Sequence, residues 1–248
     1  STDSLHELHA KLVDIVDGVT IPAILAATDT LTVAASDSTD ADKAIADYTC
    51  DGTADETEIN TALAALPLDV GTVFLFAGTY STAATIAVPS NCTLDGAGYG
   101  AIVQPVAEWT GALQIVSNSD PTGGNTNVTI RNIHVDGQLL TPVSSQKGIC
   151  LTLCSDSLVE KCFVENLGNS TTASCLGIAP RGCTDCIIRE NETVDTVDGI
   201  NTGFAATPCY RLTITRNKVS STTRDYGINL FYCHDSVIVE NEVRECFL

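Results

Sequence analysis

The sequence predicts an all-β parallel solenoid, and three observations carry the prediction. Cys154, Cys183, Cys209 and Cys233 are each followed eight residues later by Cys162, Asn191, Asn217 and Asn241, with steps of 29, 26 and 24 residues between successive cysteines. A second motif keeps phase with the first. Gly148-Ile149, Gly177-Ile178 and Gly227-Ile228 each precede the repeat cysteine by six residues, and Gly199-Ile200 precedes its own by ten. From about residue 70 onward, short apolar runs alternate with Asn, Gly, Ser and Asp clusters, with no competing helical period. Repeats of this length, built from two or three short strands, bury an apolar face only by stacking on one another. A spacing of about 4.8 Å then places same-phase residues in ladders of Cys, Asn and Ile.

In chain order, residues 4–17 place Leu5, Leu8, Leu12 and Ile15 on one helical face, with Ser4 and Glu7 as a capping box. Two heptads are too short for an isolated coiled coil, so residues 1–17 are expected to dock on another surface or to oligomerise. Residues 18–50, rich in Thr, Ala, Asp and Ser, read as an extended connector with a short alternating run at Thr30 to Ala34. Residues 51–248 form the predicted solenoid. Its opening DGTADETEINTALAALP predicts a helix over 55–66, with Asp55 as N-cap, Ile59, Ala62, Leu63 and Leu66 on one face, and Pro67 as its stop. The strand at GTVFLFAGTY follows, turning at Gly78. One coil later, GNTNVTIRN places Asn132 in the Asn column and Gly124 at the Cys position. The four extra residues around Gly203-Phe204 predict a local bulge.

Composition excludes several functions. Twelve Lys plus Arg against 31 Asp plus Glu give a formal charge of −19, which repels phosphate backbones and anionic headgroups; no nucleic-acid partner and no membrane insertion are expected. No apolar run is long enough to span a bilayer, and STDSLHELHAKL shows no signal peptide, so synthesis in the cytosol is expected. The last repeat stops within its strand at ENEVRECFL, and another subunit or a continuation is expected to cover that end.

The stretch from DGTADETEINTALAALP through GTVFLFAGTYSTAATIAVPSNCTLDGAGYG, followed by repeats of the NVTIRN and VIVEN type, resembles the pectin-lyase-like superfamily. The resemblance implies a single-stranded right-handed parallel β-helix whose open end is capped by the helix at 55–66. The segment TVAASDSTDADKAIADYTCDGTADETEIN also resembles the lead-in of β-helical proteins of phages and microbial surfaces. That superfamily holds lyases, hydrolases, epimerases, tailspikes and non-enzymatic adhesins, so it implies fold more than activity.

The superfamily's hydrolase pattern, an adjacent Asp pair with Asp-His-Gly and Arg-Ile-Lys, is absent from this sequence. A lyase would need an Arg or Lys base and a cation such as Ca²⁺ to neutralise a uronate. Arg181, Arg189, Arg216 and Arg224 lie in the solenoid, and Asp195, Asp198 and Asp225 fall on neighbouring coils. The catalytic set expected of an enzyme is therefore Asp195, Asp198, Arg224 and Asp225, with calcium in the lyase case and otherwise no cofactor. The eleven cysteines, including the Cys183/Cys186 pair, read as a packed, reduced ladder without a metal, because residues three apart on a strand face opposite sides. The Asn column reads as a structural hydrogen-bond ladder.

Two functions are expected. The first is a structural or adhesive surface protein, a virion or appendage component such as a fibre, spike or capsid decoration, located on a virion or an extracellular surface. It would be homo-oligomeric through residues 1–17, with a trimer favoured, and able to contact carbohydrate. The alternative is a lyase, epimerase or depolymerase of acidic or capsular polysaccharide.

Overall fold

The computed structural model of the chain describes residues 29–67, 70–106, 113–139, 145–168, 175–202, 207–222 and 226–246. They form a right-handed parallel β-helix with three long sheets and a short fourth one that pairs Cys209–Tyr210 with Cys233–His234. Sheet A stacks Thr30–Ala34, Gly71–Leu75, Cys92–Gly96, Thr129–Arg131, Leu158–Glu160, Ile187–Arg189, Thr213–Thr215 and Val237–Val239, with Tyr48–Thr49 beside the first of these. Sheet B stacks Gly78–Thr82, Ala101–Pro105, His134–Asp136, Phe163–Leu167, Glu192–Thr196, Lys218–Ser220 and Glu242–Arg244. Sheet C stacks Ile86–Val88, Leu113–Asn118, Gln146–Thr152, Cys175–Arg181, Asp198–Asn201 and Ile228–Asn229.

Each long sheet sends one apolar ladder inward. In sheet A, Val73, Leu94, Ile130, Val159, Ile188 and Ile214 are in register and buried. Sheet B contributes Tyr80, Val103, Val135, Val164, Thr193 and Val219. Sheet C contributes Ile86, Val116, Ile149, Ile178 and Ile200. Each buried Val or Ile contributes roughly 1.5–3 kcal/mol of transfer free energy, and only stacking makes that available. In the last coil, Ile238 and Val243 continue these ladders but are 44% and 47% exposed.

Single left-handed residues bend the coil at fixed columns. Asn132, Lys161, Glu190, Arg216 and Glu240 turn the chain from sheet A into sheet B, with φ between 53° and 59°. A second column, Asn127, Asp156, Asp185, Arg211 and Asp235, does so ahead of sheet A. The A-to-B corner has constant length in the last five coils. The B-to-C connection ranges from the single Val197 to the stretch 137–145.

Beside the A-to-B corner runs the Asn ladder. The Oδ1 atoms of Asn217 and Asn241 accept from the backbone N–H and the side-chain amide of Asn191 and Asn217 respectively, at 2.9–3.0 Å. Cys162 N–H donates to Asn191 Oδ1 at the head of the column. The Ile ladder, Ile149–Ile178–Ile200–Ile228, is likewise as expected.

Three expectations are corrected. The connector at 18–50 does not extend to residue 50: Thr30–Ala34 pairs in parallel with Gly71–Leu75, and Asp40–Ile45 is a short helix, α1, capped by Thr39. The apolar alternation of Leu31 and Val33 lets this segment extend sheet A, so the solenoid begins some twenty residues earlier than predicted. Asp55 precedes helix α2 (Glu56–Ala65) without capping it. Its carboxylate instead accepts from Gly52 N–H at 2.8 Å and Ser81 N–H at 2.7 Å. The register before Cys154 is displaced by one, because Thr126 pairs with Ser155 and Arg131 with Glu160. Ile133 and Asn125 therefore head the Asn and Cys columns, and Asn132 occupies the left-handed corner. The helix predicted over 4–17 and the bulge at Gly203-Phe204 lie outside the described residues.

Helix α2 buries Ile59, Ala62 and Leu63 on one face as the spacing predicts. Its polar side chains replace the coil missing beneath sheets B and C. Glu56 Oε2 accepts from Ala83 N–H, and Asn60 accepts from Ala87 N–H while donating to Thr85 O. Edge groups that would otherwise recruit another strand are thereby satisfied.

Candidate functional site

Of the four expected catalytic residues, Asp195 and Asp198 lie among the described residues, on neighbouring strands of different sheets. Asp195 is a left-handed residue near the end of a sheet B strand, with φ 51°. Asp198 opens a sheet C strand and is 4% exposed; its carboxylate accepts from Tyr226 N–H and Asn201 Nδ2, both at 2.7 Å. Arg224 and Asp225 lie outside the described residues. Of the other arginines, Arg189 is paired with Glu160 at 2.7 Å, and Arg216 lies between Glu190 and Glu240 on the corner column.

Sheet C has a buried outer face that the sequence did not reveal. On its inner side, Gly148, Gly177 and Gly199 leave no room for a Cβ, which would meet the inward side chains Val164, Thr193 and Val219 of sheet B at 2.4, 3.0 and 2.3 Å. Cys150, Leu176 and Ala179 form an apolar cluster separate from the main core. Lys147 shares a column with Leu176 and Asp198 and is 8% exposed, with no hydrogen-bond or ion-pair partner among the described residues. Burial pushes its ammonium below the usual lysine range; neighbouring Arg181 acts in the same sense, and the Cys150 thiol opposes it.

Sheet B presents a different outer face. His134, Phe163, Glu192, Lys218 and Glu242 stand in one register column. Tyr99, 60% exposed, lies across it: its ring centroid is 4.9 Å from Phe163, and its hydroxyl donates to Glu192 Oε2 at 3.0 Å. His134 packs 4.8 Å from Phe163 and bonds Glu165 Oε1 at 3.0 Å. Beyond this aromatic group, Glu192, Lys218, Ser220, Glu242 and Arg244 line an open pocket of about 380 Å³. The column was readable in the sequence, because each member after His134 directly follows Cys162, Asn191, Asn217 or Asn241. Tyr99 carried no periodic signal.

The cysteine column is in register, with Cys183 N–H donating to Cys209 Sγ at 3.4 Å and Cys209 paired with Cys233. No cysteine among the described residues forms a disulfide. Burial holds Cys162 up at about 12, whereas the hydrogen bond from Cys209 pulls the half-buried Cys233 well below the ordinary thiol range. Among the described residues no helix is long and apolar enough to cross a membrane.

Residues 45–247 match the family described as rhamnogalacturonase A/epimerase, pectate lyase-like. No curated protein sequence matches the chain. Among solved structures, the A-module of mannuronan C-5 epimerase AlgE6 from Azotobacter vinelandii superposes with a TM-score of 0.60 at 18% identity, covering 78% of this chain and 53% of that one. ORF18 of Geobacillus virus E2 gives 0.44 at 19% identity over 77% of this chain and 44% of that one. Pectin methylesterase PemA from Erwinia chrysanthemi gives 0.41 at 14% identity over 82% and 71%. The chain thus spans about half the length of the first two, and at these identities the likeness is one of fold. With residues 45–247 of 248 matched, the chain belongs to the rhamnogalacturonase A/epimerase, pectate lyase-like family of parallel β-helices.

Proposed function

We propose that this β-helix is a structural, adhesive surface module that binds polysaccharide on the outer face of sheet B. The open aromatic and polar column running from Tyr99, His134 and Phe163 to the Lys218–Arg244 pocket carries the reading. The exposed Tyr99 ring, backed by Phe163 and His134, offers an aromatic face to the apolar face of a sugar, and the flanking charged groups hydrogen-bond hydroxyls. Asp136, Glu165, Glu192 and Glu242 outnumber Lys218 and Arg244 there, which disfavours dense polyuronates and points to a neutral or amino-sugar glycan. A virion or appendage is the proposed setting, resting on the phage-like lead-in of the sequence, with a trimer formed through residues 1–17.

Affinity electrophoresis against neutral, amino-sugar and acidic polysaccharides tests the binding. Retardation by a neutral or amino-sugar polymer, weakened at least about tenfold in Tyr99→Ala and Phe163→Ala, is expected; unchanged retardation in both variants would remove the site. Light scattering of the chain with and without residues 1–17 tests the assembly: a trimer that dissociates on deletion supports it, and a monomer in both refutes it.

Lys147 favours a second reading, that of a lyase or epimerase with this lysine as its base. A buried amine held below its usual range is a competent proton acceptor. Unsaturated uronate products released from alginate or pectate by the chain, and lost in Lys147→Met, would establish that reading over the adhesive one.

A further inference from the structure

A cluster remote from both faces lies where the first coil meets helix α2. Cys50 follows the short strand Tyr48–Thr49 and continues its pairing through an N–H bond to Ala34 O. Asp55 and Glu58 sit at the first turn of α2. One ligand atom from each of Cys50, Asp55 and Glu58 lies within 4.8 Å of the other two, the only such group among the described residues. Cys50 is 3% exposed and Asp55 is fully buried.

Two further observations separate this cluster from a helix N-terminus that merely gathers acids. Glu58 Oε2 is shut off from solvent and has no hydrogen-bond partner among the described residues, a costly state for a carboxylate oxygen. Four acids, Asp55, Glu58, Asp51 and Glu56, bear on Cys50. Asp55 is already fixed by Gly52 N–H and Ser81 N–H, and each of its oxygens keeps a lone pair for another partner. The thiol meets only the Asp55 carbonyl, at 3.9 Å.

We propose that Cys50, Asp55 and Glu58 form a binding site for a divalent cation of borderline softness, with zinc as the best fit. One thiolate and two carboxylates make a three-ligand set for tetrahedral zinc, and water reaching the site past exposed Asp51 and Thr53 completes the fourth position. Zinc–ligand bonds of about 2.0–2.3 Å require the three atoms to draw together by roughly 1 Å, within the reach of side-chain rotation. Binding displaces the Cys50 proton to solvent and gives Glu58 Oε2 its missing partner. The ion would staple the first coil to α2, the helix that closes this end of the solenoid.

The test uses the full chain, stripped with chelator and titrated with Co²⁺ and then Zn²⁺. One equivalent of Co²⁺ should bind with a thiolate-to-cobalt charge-transfer band, Zn²⁺ should displace it, and saturating Zn²⁺ should raise Tm by roughly 5–10 °C. Cys50→Ser should abolish the band. Glu58→Gln, at a partly exposed position where folding is not at risk, should leave the apo Tm equal or higher, because it removes one of the clustered charges, while weakening metal binding at least about tenfold. Absence of stoichiometric Co²⁺ binding, or a charge-transfer band that survives Cys50→Ser and so arises from another thiol, would overturn the proposal.

Discussion

Two buried polar side chains show how much single residues disclose in a fold this regular. Thr193 stands in the inward ladder of sheet B between Val164 and Val219, and its hydroxyl is buried with no hydrogen-bond partner among the described residues. Thr193→Val keeps the shape and removes the desolvated oxygen, so thermal unfolding should rise by about 2–4 °C, equivalent to roughly 1 kcal/mol. Lys147 is the charged counterpart. Its folded-state pKa is lowered by burial, so between that value and the ordinary lysine value the unfolded chain binds the extra proton. Stability should therefore rise with pH across that window, and the gain should be complete above the unfolded lysine pKa. Lys147→Met should flatten this part of the profile and stabilise the protein at neutral pH, as urea midpoints measured at several pH values would show. A wild-type profile already flat there would mean that the amine is solvated.

At the scale of the element, the Asn ladder is the most concentrated hydrogen-bonding device. Asn217 Oδ1 accepts two donors from Asn191, and its amide donates to Ile188 O. Asn217→Ala should cost about 2–4 kcal/mol, because it leaves several buried groups unpaired at once, and urea titration would measure the loss. This ladder, the Ile ladder and helix α2 were legible in the sequence because each repeats a chemical type at a fixed phase or keeps a 3.6-residue apolar stripe. What escaped has physical causes as well. The strand Thr30–Ala34 looked like connector because its partner lies some forty residues away in Gly71–Leu75, and a lone alternating run has no neighbour to confirm it. The register of Asn132 slipped by one because Asn serves both the ladder and the left-handed corner, so composition alone cannot place it. The expected catalytic set was chosen by charge, whereas Asp198 is held by Tyr226 and Asn201 as a structural acceptor. Lys147 was passed over because nothing in its immediate sequence signals burial.

The whole molecule carries −19 charges on 248 residues, and several acids stack at coil spacing along its faces. Screening this self-repulsion should stabilise the fold, so Tm should climb as sodium chloride is raised from low ionic strength toward about 0.15 M, where the Debye length falls to about 8 Å. A Tm independent of salt would show that the ion pairs already balance the field. The corners of the coil set a different kind of constraint. Between sheets A and B the turn is of one length in the last five coils, bent at Lys161 and its equivalents, whereas the B-to-C connection varies from one residue to the stretch 137–145. Any lengthening at the first edge would break the Asn ladder beside it, while lengthening at the second leaves every ladder in register. In evolutionary terms the A–B edge is a fixed spine and the opposite side a margin open to insertion, so lineages of this chain should diversify by inheriting new loops along that margin while the spine keeps count of the coils.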